Sequence, residues 1–167
     1  MMAEPGTARD VRIALQTAVE FIWREADLLD RHDYAAWLQL WTPDGRYVIP
    51  IERDVVDYAG ALNIAYDDGT MREARVKRLR SGLSMSAVAA ARTVRTVSRF
   101  VIVRDEPGAL EVRCAQHIVE HKRERTRTIG ADVIYRIVHG DDGLALDRKV
   151  IQLIDSDEAQ RGLGYLL

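Results

Sequence analysis

The chain has 167 residues, 47% of them hydrophobic and 30% charged, with 24 Lys and Arg against 26 Asp and Glu. That size and balance suit a single folded domain and exclude a chain disordered throughout, a collagen-like repeat or a coiled-coil rod. A net charge of −2 supplies no global attraction to nucleic acid or an anionic membrane, and one cysteine, Cys114, permits no internal disulfide.

The opening MMAEPGTARD lacks the charged start and apolar run of a signal peptide. No stretch approaches the roughly 20 apolar residues that span a bilayer. A cytoplasmic protein is therefore expected, with one domain over residues 1–167 and a loose tail over 1–6. Thr7 and Asp10 have capping-box spacing, so a helix can begin there. Val11, Ala14, Leu15, Ala18, Ile22, Ala26 and Leu29 then step by three and four, one apolar stripe on a long helix. The stripe ends near Asp30, and Arg31-His32-Asp33 turns the chain. A shorter helix fits Tyr34 to Trp41, with Trp37, Leu38 and Trp41 on its apolar side. Thr42-Pro43-Asp44-Gly45 reads as a turn, and 46–51 as a strand in which Pro50 marks an edge or a bulge.

Residues 52–69 fit no single element. Residues 70–81 have helical composition, Gly82 could end that helix, and 83–91 read as a loop. Four strands follow at 93–104, 109–121, 128–139 and 144–155, joined by Asp105-Glu106-Pro107-Gly108, a charged hairpin end and Gly140-Asp141-Asp142-Gly143. Helices first and hairpins afterwards predict an α+β fold, with helices on one face of a curved antiparallel sheet.

Little of this sequence can hold a metal. His117 and His121 would pair on a helix, but on a strand four steps separate them by about 13 Å, too far for one ion. A Rieske centre needs two cysteines and two histidines, and the chain has one cysteine. No metal site is expected. There is no phosphate-binding glycine loop and no nucleophile elbow, and the basic run 122–127 lacks the interleaved aromatics of a nucleic-acid surface. The acid–base candidate is Asp30, where the first helix ends and its apolar stripe points inward. A carboxylate there can abstract a proton; it can equally serve as a cap or a solvated charge.

Leu28-Leu29-Asp30-Arg31-His32-Asp33-Tyr34-Ala35-Ala36-Trp37-Leu38 resembles the helix-break-helix signature of the nuclear transport factor two-like, or SnoaL-like, superfamily. The fold it implies is a cystatin-like cone, in which a long N-terminal helix and shorter helices pack on a strongly bent antiparallel sheet. Within that superfamily the chain resembles the beta subunits of bacterial aromatic-ring-hydroxylating dioxygenases. The resemblance runs through Leu29 to Trp41 with Asp44 and Tyr47-Val48-Ile49-Pro50. It continues through Tyr66-Asp67-Asp68-Gly69 with Met71, Arg75-Val76 and Arg78-Leu79, then Arg92-Thr93 to Val97-Ser98. It ends in Leu144-Ala145-Leu146 with Lys149-Val150 and Leu153-Ile154.

The resemblance implies a structural subunit with no catalytic residue of its own. The Rieske iron–sulfur cluster and the mononuclear iron would belong to an alpha subunit, in a complex of three alpha and three beta chains, with the beta chains forming a trimer. Tyr66, Asp67, Asp68, Arg72, Arg75 and Arg78 are then the expected subunit contacts. Arg95 and Arg99 depart from the family pattern, standing where a histidine and an asparagine are usual. In the related scytalone dehydratase an aspartate aligns near Asp30, and two catalytic histidines align near Arg95 and Gln116. The alternative is a stand-alone isomerase or dehydratase of a small hydrophobic ring compound, with Asp30 as base and Tyr34, Trp37, Tyr47 or Arg95 around the substrate. Arginine is a poor base, so the helpers of that chemistry are missing.

Overall fold

The chain folds as helices followed by a sheet in the computed structural model, which describes residues 11–85, 91–158 and 164–167. Helix α1 spans Leu15–Asp30 and buries Ala18, Ile22, Ala26 and Leu29, the predicted stripe. It begins later than the expected start near Thr7 and Asp10, which themselves lie outside the described residues. Val11 to Ala14 are not helical because Val11 is bonded elsewhere: its carbonyl accepts from the Gly108 N–H at 3.2 Å and meets His139 Nε2 at 3.0 Å. The predicted tail over 1–6 also lies outside the described residues.

The break follows a simple local logic. His32 takes φ 56°, and the Asp33 N–H returns to the Leu28 carbonyl at 2.9 Å, closing the end of α1. Asp33 then caps α2, Tyr34–Leu38, by accepting the Ala36 N–H at 3.1 Å. That helix stops short of Trp41, which instead opens strand β1, Trp41–Pro50. The reason is a bond across the sheet, from the Leu146 N–H to the Leu40 carbonyl at 2.7 Å. Thr42 to Gly45 are therefore a bulge within β1 and not a turn before it, marked by the register change between Trp41 and Arg46. A second register change falls at Pro50, as proline requires.

The ambiguous stretch contributes β2, Asn63–Asp67, paired antiparallel with β1. Helix α3 spans Gly69–Met85, so Gly82 does not end it; a helical glycine costs only about 1 kcal/mol relative to alanine. The part of the expected loop at 83–85 is helical, and 86–90 lie outside the described residues. The four long strands are β3 Arg92–Glu106, β4 Ala109–Lys122, β5 Arg125–Gly140 and β6 Gly143–Leu153. Consecutive neighbours pair antiparallel, giving the order β2-β1-β6-β5-β4-β3, and β1 runs parallel to β6.

β4 shows how one face becomes the interior. Leu110, Val112, Cys114, Gln116, Ile118 and Glu120 are buried, while the residues between them are partly or fully exposed. On the outer face Arg136 meets Glu106 and Asp147, each at 3.2 Å, and Arg148 meets Glu111 at 2.8 Å. Bulges in β3 at Ser98/Val101 and Ile102/Arg104, and in β5 at Arg136/Ile137, bend the sheet around its buried face. The β4–β5 connection needs positive φ at Arg123 (50°) and Glu124 (61°), a hairpin turn without the usual Asn-Gly. Among the described residues no helix is long and apolar enough to cross a membrane.

Candidate functional site

Two carboxylates of α1, Glu25 and Asp30, face the interior of the cone, each answered by a cation. Glu25 lies on the buried stripe of α1, between Ile22 and Leu29. Its side chain and that of Lys149 on β6 are both 0% exposed, and they pair at 2.7 Å. Glu25 also accepts from Trp37 Nε1 at 2.8 Å and from the Tyr135 hydroxyl at 3.1 Å. A buried carboxylate is tolerated only with such partners, and here three donors meet it. The Lys149 ammonium sits 5.3 Å from the Tyr135 ring centre.

Asp30 forms the second cluster. It accepts from the Thr93 hydroxyl and from the Arg95 backbone N–H, each at 2.8 Å, and from the Arg95 guanidinium. The Arg95 side chain is fully buried and also donates to the Leu166 carbonyl. Inward positions on β3 explain the geometry: Thr93, Arg95 and Val97 alternate onto the buried face below the end of α1.

Residues 165–167 complete the interior. Tyr165, Leu166 and Leu167 are at most 5% exposed and belong to the hydrophobic core. The Leu167 N–H donates to the Tyr47 hydroxyl at 3.0 Å, and the Leu167 oxygen accepts from Lys149 at 2.8 Å. Trp37, Trp41 and Tyr47 pack edge to face around this centre, with ring centres 5.3 to 6.3 Å apart.

Burial pushes the Tyr47 and Tyr135 hydroxyls well above their ordinary range. It also raises the Cys114 thiol to about 12 and draws Lys149 down, against the attraction of Glu25. At neutral pH the phenols and the thiol are protonated. None of them is a ready base, and Asp30 already has its oxygens bonded.

The five residues of the enzymatic alternative, Asp30, Tyr34, Trp37, Tyr47 and Arg95, do come together in this interior. Tyr34 and Trp37 are 1% and 0% exposed, and His32 stacks on Tyr34 with ring centres 5.7 Å apart. Sequence reasoning missed Glu25, Lys149 and residues 165–167. Glu25 was findable: an acidic residue on an apolar stripe must have a buried partner. The partner itself, 124 residues away, had no local signal.

The expected subunit contacts lie together on a second surface, where β2 runs into α3. Asp67 is buried and holds Arg75 through two bonds of 2.5 and 2.9 Å. Arg72 is 3% exposed; its guanidinium lies 4.2 Å from the Trp41 ring centre and donates to the carbonyls of Gly45 and Thr42, pinning the bulge of β1. Asp68 caps α3 by accepting the Met71 N–H at 2.9 Å. Tyr66 is partly exposed and Arg78 exposed. Beside them a groove of about 550 Å³ runs between Trp41, Asp44, Arg46, Asp68 and Glu73.

Among the described residues no three His, Cys, Asp or Glu side chains cluster as metal ligands. His117 and His121 stand on β4, and the buried Cys114 thiol contacts the Val133 carbonyl at 3.6 Å. This donor set does not fit a Rieske cluster, which needs two cysteines.

Residues 24–157 match the protein family described as the ring hydroxylating beta subunit. The chain belongs to that family. The anthranilate 1,2-dioxygenase small subunit of Acinetobacter baylyi is 30% identical over 99 residues, 56% of this chain and 61% of that protein, so the match spans less than two thirds of its length. The benzene 1,2-dioxygenase beta subunit of Pseudomonas putida is 34% identical over 127 residues, 70% of this chain and 68% of that one. The solved beta subunit of benzoate 1,2-dioxygenase from Burkholderia mallei superposes with a TM-score of 0.78 over 92% of this chain and 98% of that one, at 20% identity. A cystatin-like protein of the nuclear transport factor two type from Novosphingobium aromaticivorans superposes at 0.57, with 15% identity, over 85% of this chain and 91% of that one. The beta-subunit fold is thus the cone that the break at Asp30 suggested.

Proposed function

We propose that this chain is the non-catalytic structural beta subunit of a Rieske-type aromatic-ring-hydroxylating dioxygenase in the cytoplasm. It assembles with an alpha subunit that holds the Rieske cluster and the mononuclear iron, as three alpha and three beta chains, with the beta chains in contact as a trimer. The relatives' names and the family match support the pairing with an oxygenase. One observation carries the non-catalytic part: the place where the alternative would hold substrate is filled by Tyr165, Leu166 and Leu167. Asp30, the base of that alternative, has three donors on it.

The subunit contacts divide into two layers. Asp67, Arg72 and Arg75 fix the β2–α3 corner from within, and Tyr66, Asp68 and Arg78 offer their accessible atoms to a neighbour. The test is reconstitution with an alpha subunit. Native mass spectrometry should give a complex of three alpha and three beta chains, with all iron removed when alpha is omitted. A beta chain that stays monomeric with every alpha partner, or that turns over a ring substrate alone, overturns the proposal.

A further inference from the structure

The outer face of the sheet is covered in one half and open in the other. Across β1 and β6 the stretch 51–62 is tied onto it. Arg53 meets Asp132 at 2.9 Å, the Gln152 amide donates to the Arg53 carbonyl at 2.7 Å, and the Arg148 guanidinium lies 5.9 Å from the Tyr58 ring centre. Across β3, β4 and the start of β5 the same face carries apolar side chains in water. Val94 and Val119 pair across β3 and β4 and are 66% and 45% exposed. Ile154, 64% exposed, lies over Gly130, where an added Cβ would meet its Cδ1 at 3.1 Å. Aliphatic side chains spread over neighbouring strands without a cover mark a contact surface.

Opposite charges border this band. At one end stands the tip of the β4–β5 hairpin, with Lys122, Arg123 and Arg125 against Glu124. Arg123 and Arg125 are exposed and meet no carboxylate among the described residues. At the other end a groove of about 410 Å³ runs between Ile51, Ile154, Glu52, Asp54 and Asp157. The cation in its wall, Arg53, closes with Arg99 on Asp132, so the groove is acidic on balance. Glu52, Asp54 and Asp157 are exposed and meet no cation among the described residues. The tip cannot reach its own groove. β4 and β5 pair without a register shift up to Lys122↔Arg125, so the hairpin is stiff. Its end stands several strand steps beyond Gly130, roughly 20 Å at the usual rise per residue.

We infer that the open band is a contact between copies of this chain, with the hairpin tip of one copy seated on the acidic groove of the next. Val94 and Val119 of one copy and Ile154 of its neighbour form the apolar centre, and Arg123 and Arg125 meet Glu52, Asp54 and Asp157 at the rim. Complementary charge decides the occupant: a second copy supplies the cations that the groove lacks and the carboxylates that the tip lacks. Tip and groove are different surfaces, so the contact is heterologous and closes as a ring. The threefold count of that ring rests on the trimer proposed above; the pairing of the two surfaces does not.

Self-association of the full-length chain is measured by sedimentation velocity at low salt. The samples are wild type, a tip reversal (Arg123→Asp with Arg125→Glu), a groove reversal (Glu52→Lys with Asp54→Lys) and all these changes in one chain. Each reversal alone should weaken association by roughly fivefold or more, and the combined variant should return to within about threefold of wild type, because the same rim pairs form with their signs exchanged. A smaller effect of either reversal, or a combined variant outside that range, overturns the inference. So does a reversal that weakens binding of an alpha subunit and leaves self-association unchanged, which would make alpha the occupant. A wild type that associates only with an alpha subunit present is measured in that complex against the same thresholds. A dimer with the expected pattern supports the surface pairing and overturns only the threefold count; a chain that is monomeric alone and with an alpha subunit overturns both. If a reversed chain fails to fold by circular dichroism, the neutral pairs Arg123→Asn with Arg125→Gln and Glu52→Gln with Asp54→Asn take its place. Each should weaken association by roughly threefold or more, and a smaller effect overturns the inference.

Discussion

The interior of the cone and the outer face of α3 use charge in opposite ways. Inside, Glu25, Lys149 and the Arg95 guanidinium are withdrawn from water and committed to fixed partners. On α3, Arg72 and Arg75 turn inward, but Lys77, Arg78 and Arg80 remain exposed. Removing one member of a buried pair strands the other, whereas removing an exposed cation only alters the field at the surface. On the proposed assembly the interior supplies stability and α3 supplies recognition, although Asp30, Tyr34, Trp37, Tyr47 and Arg95 of the enzymatic alternative also meet in the interior.

The sharpest way to break the comparison is Lys149→Met. It leaves Glu25 buried without its cation and should cost about 3–5 kcal/mol in denaturant unfolding. The double variant Glu25→Gln with Lys149→Met should recover at least half of that loss. A single variant within about 1 kcal/mol of wild type would show that water reaches the pair.

Asp30→Asn comes next. An aspartate that merely caps a helix end would lose about 1 kcal/mol or less on this change. The structure raises that figure, because asparagine leaves the buried Arg95 guanidinium uncompensated. A loss of about 2–3 kcal/mol is expected by thermal or chemical melt.

Arg78→Glu sharpens the other side. Its effect on stability should stay within about 0.5 kcal/mol. Affinity for an alpha subunit should fall roughly tenfold at low salt and by less at high salt, since a rim charge acts through a screened field. A large stability loss with unchanged affinity would move the contact surface elsewhere.

The smallest effect concerns pH. Burial, then Arg95, lowers the His32 pKa below its ordinary 6.5, and Asp30 only partly opposes this. A base that protonates less readily when folded leaves stability intact above about 6.5 and withdraws it as pH falls below that value. His32→Asn, which tolerates the positive φ of this position, should flatten that part of the stability–pH curve. An unchanged slope would assign the effect to another group.

The legibility of the sequence followed the range of each interaction. The stripe of α1, the break at His32 and the hairpin order from β3 to β6 rest on neighbours three or four residues apart or on adjacent strands, and these were readable. The parallel pairing of β1 with β6 was not, because Trp41 and Leu146 are far apart in the chain and meet only through the sheet. The same reason hid the bulge at Thr42 to Gly45, which Arg72 stabilises from α3. At the candidate site, Asp30, Tyr34, Trp37, Tyr47 and Arg95 were legible as a group through a family resemblance. That residues 165–167 fill their centre was not, since nothing in Gly-Tyr-Leu-Leu announces where it packs.

The most direct test compares turnover per assembled complex for wild type and Asp30→Asn, each reconstituted with the same alpha subunit below the melting temperature of the variant. Assembly and iron content are checked in the same samples. If the interior is structural, the two rates agree within about twofold, despite the lower stability of the variant. A positioned base contributes about 100- to 10,000-fold in rate. A hundredfold loss in a folded, fully assembled and iron-loaded complex would contradict the account.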